Sequence, residues 1–442
     1  MSDYNLIMRF FNHNIFKMKT RRSIKLITLL FAFILFSNLS AQNFIKVEPE
    51  KVGMSSERLD ILTNTFQKYV DNGELSGTVA LVARHGQIAY FKSIGKSDIE
   101  NNVLMNENSI FRIASQTKAI VSVGIMILQE EGKLLISDPV GKYIPAFNET
   151  TVAIPKEDGG YEIVKAKRPV TIRDLLTHTS GIGYGDGISS DLWEKAKIQG
   201  WYFADREEPI QATVTRMAGL PFEAQPGEKF VYGYSTDILG ALIEVVSGEA
   251  LNTFLKNRIL DPLGMEDTHF YLPEEKRDRL TVVYSATEDG IERAPDPGGM
   301  IGQGAYVDGP RISFSGGAGY LSTALDYAKF LQMMLNNGEF NGKRIISRKT
   351  VEIMTVDHLT ETTFPWNKGT GFGLGFSIVI NAGFRGDLGT NGEYGWGGAY
   401  HSTYWVDPME ELIVVYFTQL IPANGLDDHG KLRALVYQAL ND

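Results

Sequence analysis

The sequence predicts an α+β fold in which strands from both ends of the chain form one antiparallel sheet with flanking helices. A mostly helical region is inserted between the two groups of strands. Three observations predict this fold: β-branched and aromatic runs near both ends, amphipathic patterns at helical spacing between them, and hairpin-type connections, which favour antiparallel pairing. We expect the sheet part at about 45–110 and 365–442 and the helical part at about 115–345. Because both halves supply strands to one sheet, residues 42–442 are expected to form one domain.

The first 41 residues have the order of a secretory signal peptide. Basic residues at Lys19, Arg21, Arg22 and Lys25 precede an apolar run at 27–36, and small and polar residues lead to Ala41. The apolar run is too short to cross a bilayer comfortably, although an uncleaved membrane anchor is the alternative. Met18 is an alternative start of the chain. We therefore expect an exported protein, periplasmic or extracellular, with no integral membrane span once the signal is removed.

The first strands after the signal form a predicted hairpin. Two β-rich runs, Thr78 to Ala83 and Ile88 to Phe91, flank a turn at His85-Gly86. An almost purely apolar helix follows from Ser115, and Gly132 is a typical helix end.

In the rest of the chain, helices are predicted first, then strands and a terminal helix. A short helix is predicted in "TIRDLLTHTSGI" (171–182), ending at Gly181, and a loop at 183–200. Amphipathic helices are predicted in 247–264 and 323–338. Strands return in "GFGLGFSIVI", "GWGGAYHSTYWVD" and "LIVVYFTQ", and a terminal helix lies in "HGKLRALVYQAL".

Composition excludes several classes of function. The 442 residues carry a net charge of −10 and contain no cysteine. The charge argues against a nucleic acid or an anionic membrane surface as the main partner. The absence of cysteine excludes disulfides, thiolate metal sites, a cysteine nucleophile and a lipid-anchoring cysteine. The seven histidines show no metal-ligand spacing, so no metal and no cofactor are expected.

Ser115 and Lys118 are the first candidates for chemistry. On a helix, residues three apart share one face, with Cβ atoms about 5–6 Å apart. Helix capping would explain the serine, but a lysine beside a buried face costs several kcal/mol unless it is paired or neutral. A neutral amine can take the proton of a hydroxyl group. A lysine that extends to solvent is the alternative. A second Ser-x-x-Lys, at Ser93 and Lys96, lies at a strand end, where no helix aligns the two side chains.

Four ordered segments then resemble one family. Ser-x-x-Lys is followed by "TIRDLLTHTSGI", "PGEKFVYGYSTDILGALIEVVSG" (226–248), "GGAGYLSTALDYAKFLQMML" (316–335) and "EYGWGGAYHSTYWVDP" (393–408). Together they resemble the serine β-lactamase and penicillin-binding-protein family over about residues 48–440. Two departures point to its carboxylesterase branch. The Asn of the Tyr-x-Asn motif is replaced in Tyr232-Gly233-Tyr234, and Lys-Thr-Gly becomes Trp396-Gly397-Gly398.

The resemblance implies a β-lactamase-like fold and acyl transfer. Ser115 would be the nucleophile, and Lys118 and Tyr232 would share the proton work, with the formal base left open. The N–H groups of Ser115 and Ala399 would form the oxyanion hole. The substrate would meet four further residues: Trp396, Gly397, Gly398 and Tyr234. Tyr234 is a second choice for the tyrosine role, and no residue can be named for deacylation.

The predicted function is hydrolysis of a carboxylic ester with a modest acyl or alcohol group through an acyl-enzyme on Ser115. One alternative is a β-lactamase or D,D-peptidase acting on cell-wall material, and a second is a catalytically silent binding protein. No Gly-x-Ser-x-Gly elbow is present to support a different triad.

The remaining motifs have ordinary interpretations. His401 is predicted to be a strand histidine with a local hydrogen bond, or to border the pocket, and His178 to be a structural hydrogen-bonding residue. "DDHG" (427–430) is predicted to be a solvated turn and helix cap, and "GIGYGDG" (181–187) a loop. "WYF" (201–203) is predicted to belong to the core or to wall an acyl pocket.

Overall fold

The computed structural model describes residues 44–359 and 364–442. The predicted signal peptide therefore lies outside the described residues. The strands, in chain order, are β1 (Gly77–Arg84), β2 (Gln87–Asp98), β3 (Val103–Leu104), β4 (Phe111–Arg112), β5 (Thr151–Pro155), β6 (Tyr161–Lys165), β7 (Tyr284–Thr287), β8 (Gly290–Arg293), β9 (Leu321–Ser322), β10 (Glu339–Phe340), β11 (Lys343–Arg344), β12 (Thr370–Phe372), β13 (Ser377–Val379), β14 (Tyr394–Gly398), β15 (Ser402–Asp407) and β16 (Leu412–Phe417).

The α-helices are α1 (Ser56–Asp71), α2 (Thr117–Glu130), α3 (Ile172–Leu176), α4 (Ser190–Lys195), α5 (Ile210–Met217), α6 (Ser235–Ser247), α7 (Leu251–Leu255), α8 (Asp261–Leu263), α9 (Ala324–Leu335), α10 (Arg348–Met354), α11 (Ala382–Arg385) and α12 (Asp428–Tyr437). A π-helical segment, Lys256–Leu260, joins α7 to α8. Short 3₁₀ helices span Pro49–Val52, Ala114–Gln116, Val140–Lys142, Pro145–Glu149, Glu274–Arg279 and Gly299–Ile301.

The central sheet joins the two ends of the described chain. Its eight strands lie in the order β12-β13-β14-β15-β16-β1-β2-β3 and pair antiparallel. The junction is the pairing of β1 with β16, with Val79 opposite Phe417 and Arg84 opposite Leu412. β1 and β2 are joined at His85-Gly86, whose φ angles of 51° and 73° give the tight left-handed turn expected from the sequence. The predicted α+β fold is confirmed.

Helices cover both faces of this sheet. Side chains along a strand alternate between the faces, so Leu81 and Val415 pack into the core shared with the inserted region. Val82 and Val414 point the other way, into the core that α1 and α12 close. All four side chains are fully buried, which explains why the central strands read as continuous apolar runs.

The helix α2 lies in the middle of the inserted region. Every residue from Thr117 to Leu128 is buried, and α6 packs along it. The two helices and α7 come close at Gly124, where a Cβ atom would lie 2.8 Å from Leu255 Cδ2. A helix that is apolar on every side is expected in such a buried position, and this position fixes the direction of its N-terminus.

Some element boundaries differ from the prediction. The helix α3 ends at Leu176, well before Gly181, because His178 has a φ of 54° that a helix cannot continue through. The predicted loop at 183–200 contains α4. The mostly helical region also contains the hairpins β5–β6 and β7–β8.

Within residues 44–359 and 364–442, no single helix is long and apolar enough to cross a membrane. The helices Ser235–Ser247 and Leu251–Leu263 meet the length and composition requirement as a pair, but the chain bends by 83° between them.

Candidate active site

Ser115 lies on a tight turn immediately before α2. The turn is the 3₁₀ segment Ala114–Gln116, rather than the α-helix predicted from the sequence. Ala114 has a φ of 41°, which a non-glycine residue rarely adopts. The Tyr327 hydroxyl donates to the Gln116 carbonyl oxygen at 2.9 Å and anchors the turn from α9. Ser115 is therefore held at the N-terminus of α2, where the helix dipole favours negative charge.

Lys118 is buried and fully engaged. Its side chain is on the first turn of α2, and the residue is only 2% exposed. The Nζ atom donates to Ser115 Oγ at 3.3 Å, to the Tyr184 hydroxyl at 3.1 Å and to the Gly317 carbonyl oxygen at 2.8 Å. An ammonium group has three donors, and each of them has an acceptor here. This arrangement accounts for a lysine on a buried face.

A buried carboxylate lies one peptide group from Lys118. Asp237, on the first turn of α6, accepts hydrogen bonds through Oδ1 from Ser315 Oγ at 2.6 Å and from the Gly317 N–H at 3.0 Å. The Gly317 peptide thus connects Lys118 at its carbonyl to Asp237 at its N–H. Burial raises the pKa of Asp237, and the Lys118 cation opposes that rise.

Tyr232 is held between Lys118 and Trp396. The Lys118 Nζ lies 4.6 Å from the centroid of the Tyr232 ring, a cation–π distance. The Trp396 indole N–H donates to the Tyr232 hydroxyl at 3.0 Å. The His178 ring packs against Tyr232 at 4.7 Å between centroids. Burial and then the Lys118 charge hold the pKa of His178 well below 6.5, so this imidazole is a neutral packing group.

Tyr234 is not brought to the same place. Its hydroxyl donates to the carbonyl oxygens of Gly200 at 2.8 Å and Tyr184 at 3.2 Å, and its ring stacks on Trp193. The side chain is fully buried and is not part of the cavity that Ser115 borders. Tyr234 immediately precedes α6, and the start of the helix turns the side chain toward the core. The structure thus places Tyr232, and not the second-choice tyrosine, beside Lys118.

Tyr184 is the site residue that sequence reasoning missed. It lies in "GIGYGDG", which was predicted only to be a loop, and its hydroxyl accepts a hydrogen bond from Lys118. Burial, with the neighbouring Tyr232 next, raises the pKa of Tyr184 well above its usual value, so the phenol stays protonated. Tyr184 lies in none of the motifs that carry the family resemblance, so no signal in the sequence identified it.

The end of β14 approaches the serine turn closely. A Cβ atom on Gly398 would lie 2.5 Å from the Ile113 carbonyl oxygen, so only glycine allows this contact. Ala399 follows Gly398, and both border the same cavity as Ser115. Ser115 and Ala399, whose N–H groups are predicted to form the oxyanion hole, therefore border the same cavity.

The cavity has a volume of about 520 Å³. The aromatic lining residues are Tyr184, Trp201, Tyr232, Phe364, Trp366, Trp396, Tyr404 and Trp405, and the charged or imidazole-bearing ones are Arg385, Glu393, His401, His429 and Arg433. Of the "WYF" stretch only Trp201 reaches the cavity, whereas Tyr202 and Phe203 belong to the core. The aromatic group offers an apolar part of a ligand a large contact area.

Three side chains next to the cavity have the types that bind metals. The donor atoms of His401, Asp428 and His429 lie within 4.8 Å of one another. Both Asp428 oxygens already accept hydrogen bonds at 2.7 Å, from His401 Nε2 and from the Tyr416 hydroxyl. The two imidazole rings stack at 4.1 Å and are nearly parallel, at 15°, so their in-plane lone pairs do not converge on one point. The group is arranged as a hydrogen-bonded histidine–aspartate pair and not as a tetrahedral metal site. Asp428, predicted to be in a solvated turn, is buried.

Comparisons with known proteins agree with this geometry. A family model described as "Beta-lactamase" matches residues 62–438. Esterase EstB of Burkholderia gladioli is 31% identical over 375 residues, covering 82% of this chain and 89% of the relative. A relative from Escherichia coli strain K12, provisionally named a D-alanyl-D-alanine carboxypeptidase, is 27% identical over 392 residues and covers 83% of each protein. The solved structure of EstCE1, a hydrolase with promiscuous acyltransferase activity, has a TM-score of 0.73 and 25% identity, covering 86% of this chain and 98% of that one.

Proposed function

Because the chain belongs to the β-lactamase family of serine hydrolases, we propose that it cleaves carboxylic esters through an acyl-enzyme on Ser115. One observation carries the proposal. Ser115 and Tyr232 border an aromatic cavity, and the buried Lys118 contacts both, with its amine 3.3 Å from the Ser115 hydroxyl and 4.6 Å from the centre of the Tyr232 ring. Ala399 borders the same cavity, which supports the proposal that the N–H groups of Ser115 and Ala399 bind the oxyanion.

In the acylation step, Ser115 Oγ attacks the ester carbonyl carbon and its proton passes into the Lys118–Tyr232 pair. We assign the first transfer to Tyr232, because the Lys118 cation lies 4.6 Å from the centre of its ring and the Trp396 N–H donates to its hydroxyl, two contacts that favour negative charge on the phenol. The carbonyl oxygen becomes an oxyanion that the N–H groups of Ser115 and Ala399 bind. The intermediate then collapses, and the pair returns the proton to the leaving alcohol.

The substrate class follows from Trp396. At this position a lysine would attract the carboxylate of a β-lactam or of a peptide C-terminus, whereas the indole offers apolar area and one donor that Tyr232 already accepts. The lining beside it is aromatic, and the cavity of about 520 Å³ supports an ester with a larger apolar group than the modest one expected from the sequence. We therefore propose neutral esters as substrates in preference to cell-wall peptides or antibiotics.

A substrate panel tests this function. Purified protein is assayed with p-nitrophenyl esters of increasing chain length, with nitrocefin and with a peptide ending in D-Ala-D-Ala. We expect ester hydrolysis to exceed the other two reactions, and Ser115→Ala to lose it while its circular dichroism spectrum is unchanged. Equal activity in Ser115→Ala would overturn the mechanism, and faster turnover of nitrocefin would overturn the substrate class. A protein inert to every substrate and to a fluorophosphonate probe would be a binding protein.

Lys118 and the second Ser-x-x-Lys give a matched comparison. Lys118→Ala should lower kcat by about 10²–10⁴-fold, the usual contribution of positioned acid–base help. Ser93 lies within strand β2, opposite Val79, and Ser93→Ala should keep full activity. Equal losses in the two variants would contradict the assignment of the site to Ser115.

We also propose that the protein is exported, to the periplasm or beyond the cell. The support is the basic, apolar and small-residue order of residues 19–41. Fractionation of the native host, followed by N-terminal sequencing, should find a mature chain that begins near residue 42 outside the cytoplasm. An uncut chain in the cytoplasm or in the membrane fraction would refute export with cleavage.

A further inference from the structure

We propose that His401, oriented by the buried Asp428, is the general base that activates the water for deacylation. This inference rests on the proposed acyl-enzyme at Ser115 and adds the step for which the sequence analysis could name no residue.

The position of His401 connects it to the oxyanion wall. The residue follows Ala399 by two positions, and its N–H donates to the Gly398 carbonyl oxygen at 3.1 Å. Its side chain borders the same cavity as Ser115. His401 has a φ of 62° and is the last residue of the three-residue turn between β14 and β15, where a left-handed residue commonly closes the hairpin. The turn fixes His401 directly beside the strand that carries Trp396, Gly397 and Gly398.

Asp428 determines which nitrogen of His401 is basic. The carboxylate is completely buried, whereas 15% of the His401 side chain is exposed. Burial opposes ionisation of Asp428, but hydrogen bonds from His401 and Tyr416 and the charges of the nearby imidazoles together hold its pKa below 3.8. An ionised carboxylate at 2.7 Å from Nε2 places the proton on that nitrogen. Nδ1 is then the lone pair that can accept a proton.

His429 supports this arrangement without competing for the role. Its ring stacks on the His401 ring at 4.1 Å, and its Nε2 lies 3.3 Å from the His401 carbonyl oxygen. Burial, and then the charge of His401, lower the pKa of His429, so His429 remains neutral beside an imidazole that takes up a proton.

The groups proposed for acylation make their contacts on the serine side of the cavity. The three donors of Lys118 go to Ser115, Tyr184 and Gly317, and the Tyr232 hydroxyl is bound by Trp396. His401 provides a separate base from the polar group of cavity residues. Acylation and deacylation would then depend on different side chains.

The proposed step balances as follows. The water oxygen forms a bond to the acyl carbonyl carbon while His401 Nδ1 takes one water proton, and the oxyanion is bound by the N–H groups of Ser115 and Ala399. The bond between the carbonyl carbon and Ser115 Oγ then breaks. His401 returns its proton to Ser115 Oγ, which leaves a carboxylic acid and the free serine.

Pre-steady-state kinetics test the inference. We choose His401→Asn, because asparagine tolerates a left-handed backbone but cannot act as a base. With p-nitrophenyl acetate we expect a full burst of one p-nitrophenol per enzyme at the wild-type rate, followed by a steady-state rate at least 100-fold lower. Intact mass should show an acetyl group accumulating on Ser115. Asp428→Asn should also accumulate acyl-enzyme, with a displaced pH profile for the slow phase.

His85→Asn is the matched control. His85 also has a left-handed φ, of 51°, and also contacts a carboxylate, Glu411, at 3.0 Å, but it lies on the β1–β2 turn and does not line the cavity. This variant should show neither change. If His401→Asn is poorly folded, added imidazole should restore turnover of His401→Ala and leave the wild type unaffected.

The outcomes separate the two proposals. An unchanged steady-state rate in His401→Asn, or a burst that slows with it, would overturn the role of His401. So would a His401→Ala variant that imidazole does not rescue. Ester turnover that persists in Ser115→Ala would instead overturn the proposed function.

Discussion

At the scale of single residues, the contacts of the site centre on the buried amine of Lys118. A buried lysine is tolerated here because each of its donors has an acceptor, and one acceptor is a phenol that burial keeps protonated. Tyr234 has its hydroxyl committed to backbone carbonyls. The phenol that contacts Lys118 is that of Tyr184, from a different loop.

Tyr184→Phe tests this contact. The change keeps the ring and removes the acceptor of one Lys118 donor, and a hydrogen bond to a charged group contributes about 1.5–3 kcal/mol to stability. We expect kcat/KM for a p-nitrophenyl ester to fall about 10- to 100-fold and the melting temperature to fall with it. Tyr234→Phe is the companion variant and should lower stability while retaining kcat, because its hydroxyl contacts only backbone carbonyls. Retained activity in Tyr184→Phe would show that Lys118 needs only Ser115 and Gly317.

The same residues show what the sequence can and cannot predict about the site. Short motifs predicted the residues that the structure places at the cavity: Ser115, Tyr232, Trp396, Gly397, Gly398 and Ala399, with Lys118 beside them. Each motif is short, and the family resemblance brought three segments that are far apart in the chain to one site. Tyr184 and Asp428 lie in no such motif, so their contacts with Lys118 and His401, across 66 and 27 residues, could not be predicted. Tyr234 was misplaced because a shift of two residues at a helix start changes the direction of a side chain.

At the scale of elements, periodicity predicted the existence of the strands and long helices better than their ends. The hairpin at His85-Gly86 and the helix α9 follow from turn and capping residues, and Thr323 caps α9 as its type suggests. The helix α3 has a capping box at Thr171 and Asp174, yet it ends early because backbone contacts of the following segment require a left-handed residue. Local propensity therefore predicted its start, and tertiary structure determined its end.

The contact between β14 and the serine turn gives a prediction for an element. A Cβ atom at Gly398 would lie 2.5 Å from the Ile113 carbonyl oxygen and 2.6 Å from Ser402 Oγ. Gly398→Ala should therefore push the end of β14, with Ala399, away from Ser115. A displacement of about 1 Å can cost about 100-fold in rate, and we expect a loss of that size in kcat with a well-folded protein. The measurement is steady-state hydrolysis together with thermal unfolding.

Gly219→Ala is the control for this element. A Cβ atom there meets its nearest neighbour at 3.6 Å, an ordinary contact, and the residue lies outside the cavity lining. The control should keep both activity and stability. If Gly398→Ala were as active as this control, the close approach of β14 would not be required for catalysis.

At the scale of the whole molecule, the pairing of β1 with β16 makes the site depend on both ends of the described chain. Ser115 belongs to the inserted region, whereas Trp396 and Ala399 belong to the sheet formed late in the sequence. The central strands bury side chains on both faces. The layer of α1 and α12 and the inserted region therefore pack against opposite faces of the same strands. Neither layer can be lost without disturbing the strands that position the cavity.

Two leucines on the opposite faces of these strands test whether the layers unfold together. Leu81 on β1 packs into the core of the inserted region, and Leu412 on β16 packs into the core with α1 and α12; both are fully buried. Each Leu→Ala change should lower the free energy of unfolding by about 2–5 kcal/mol. Because the layers share strands, ester hydrolysis, near-ultraviolet circular dichroism and calorimetric unfolding should be lost in one coincident transition in both variants. A Leu412→Ala protein that lost its outer helical layer first, while still hydrolysing ester, would show that the terminal helices are an independent unit and that the sheet alone holds the site.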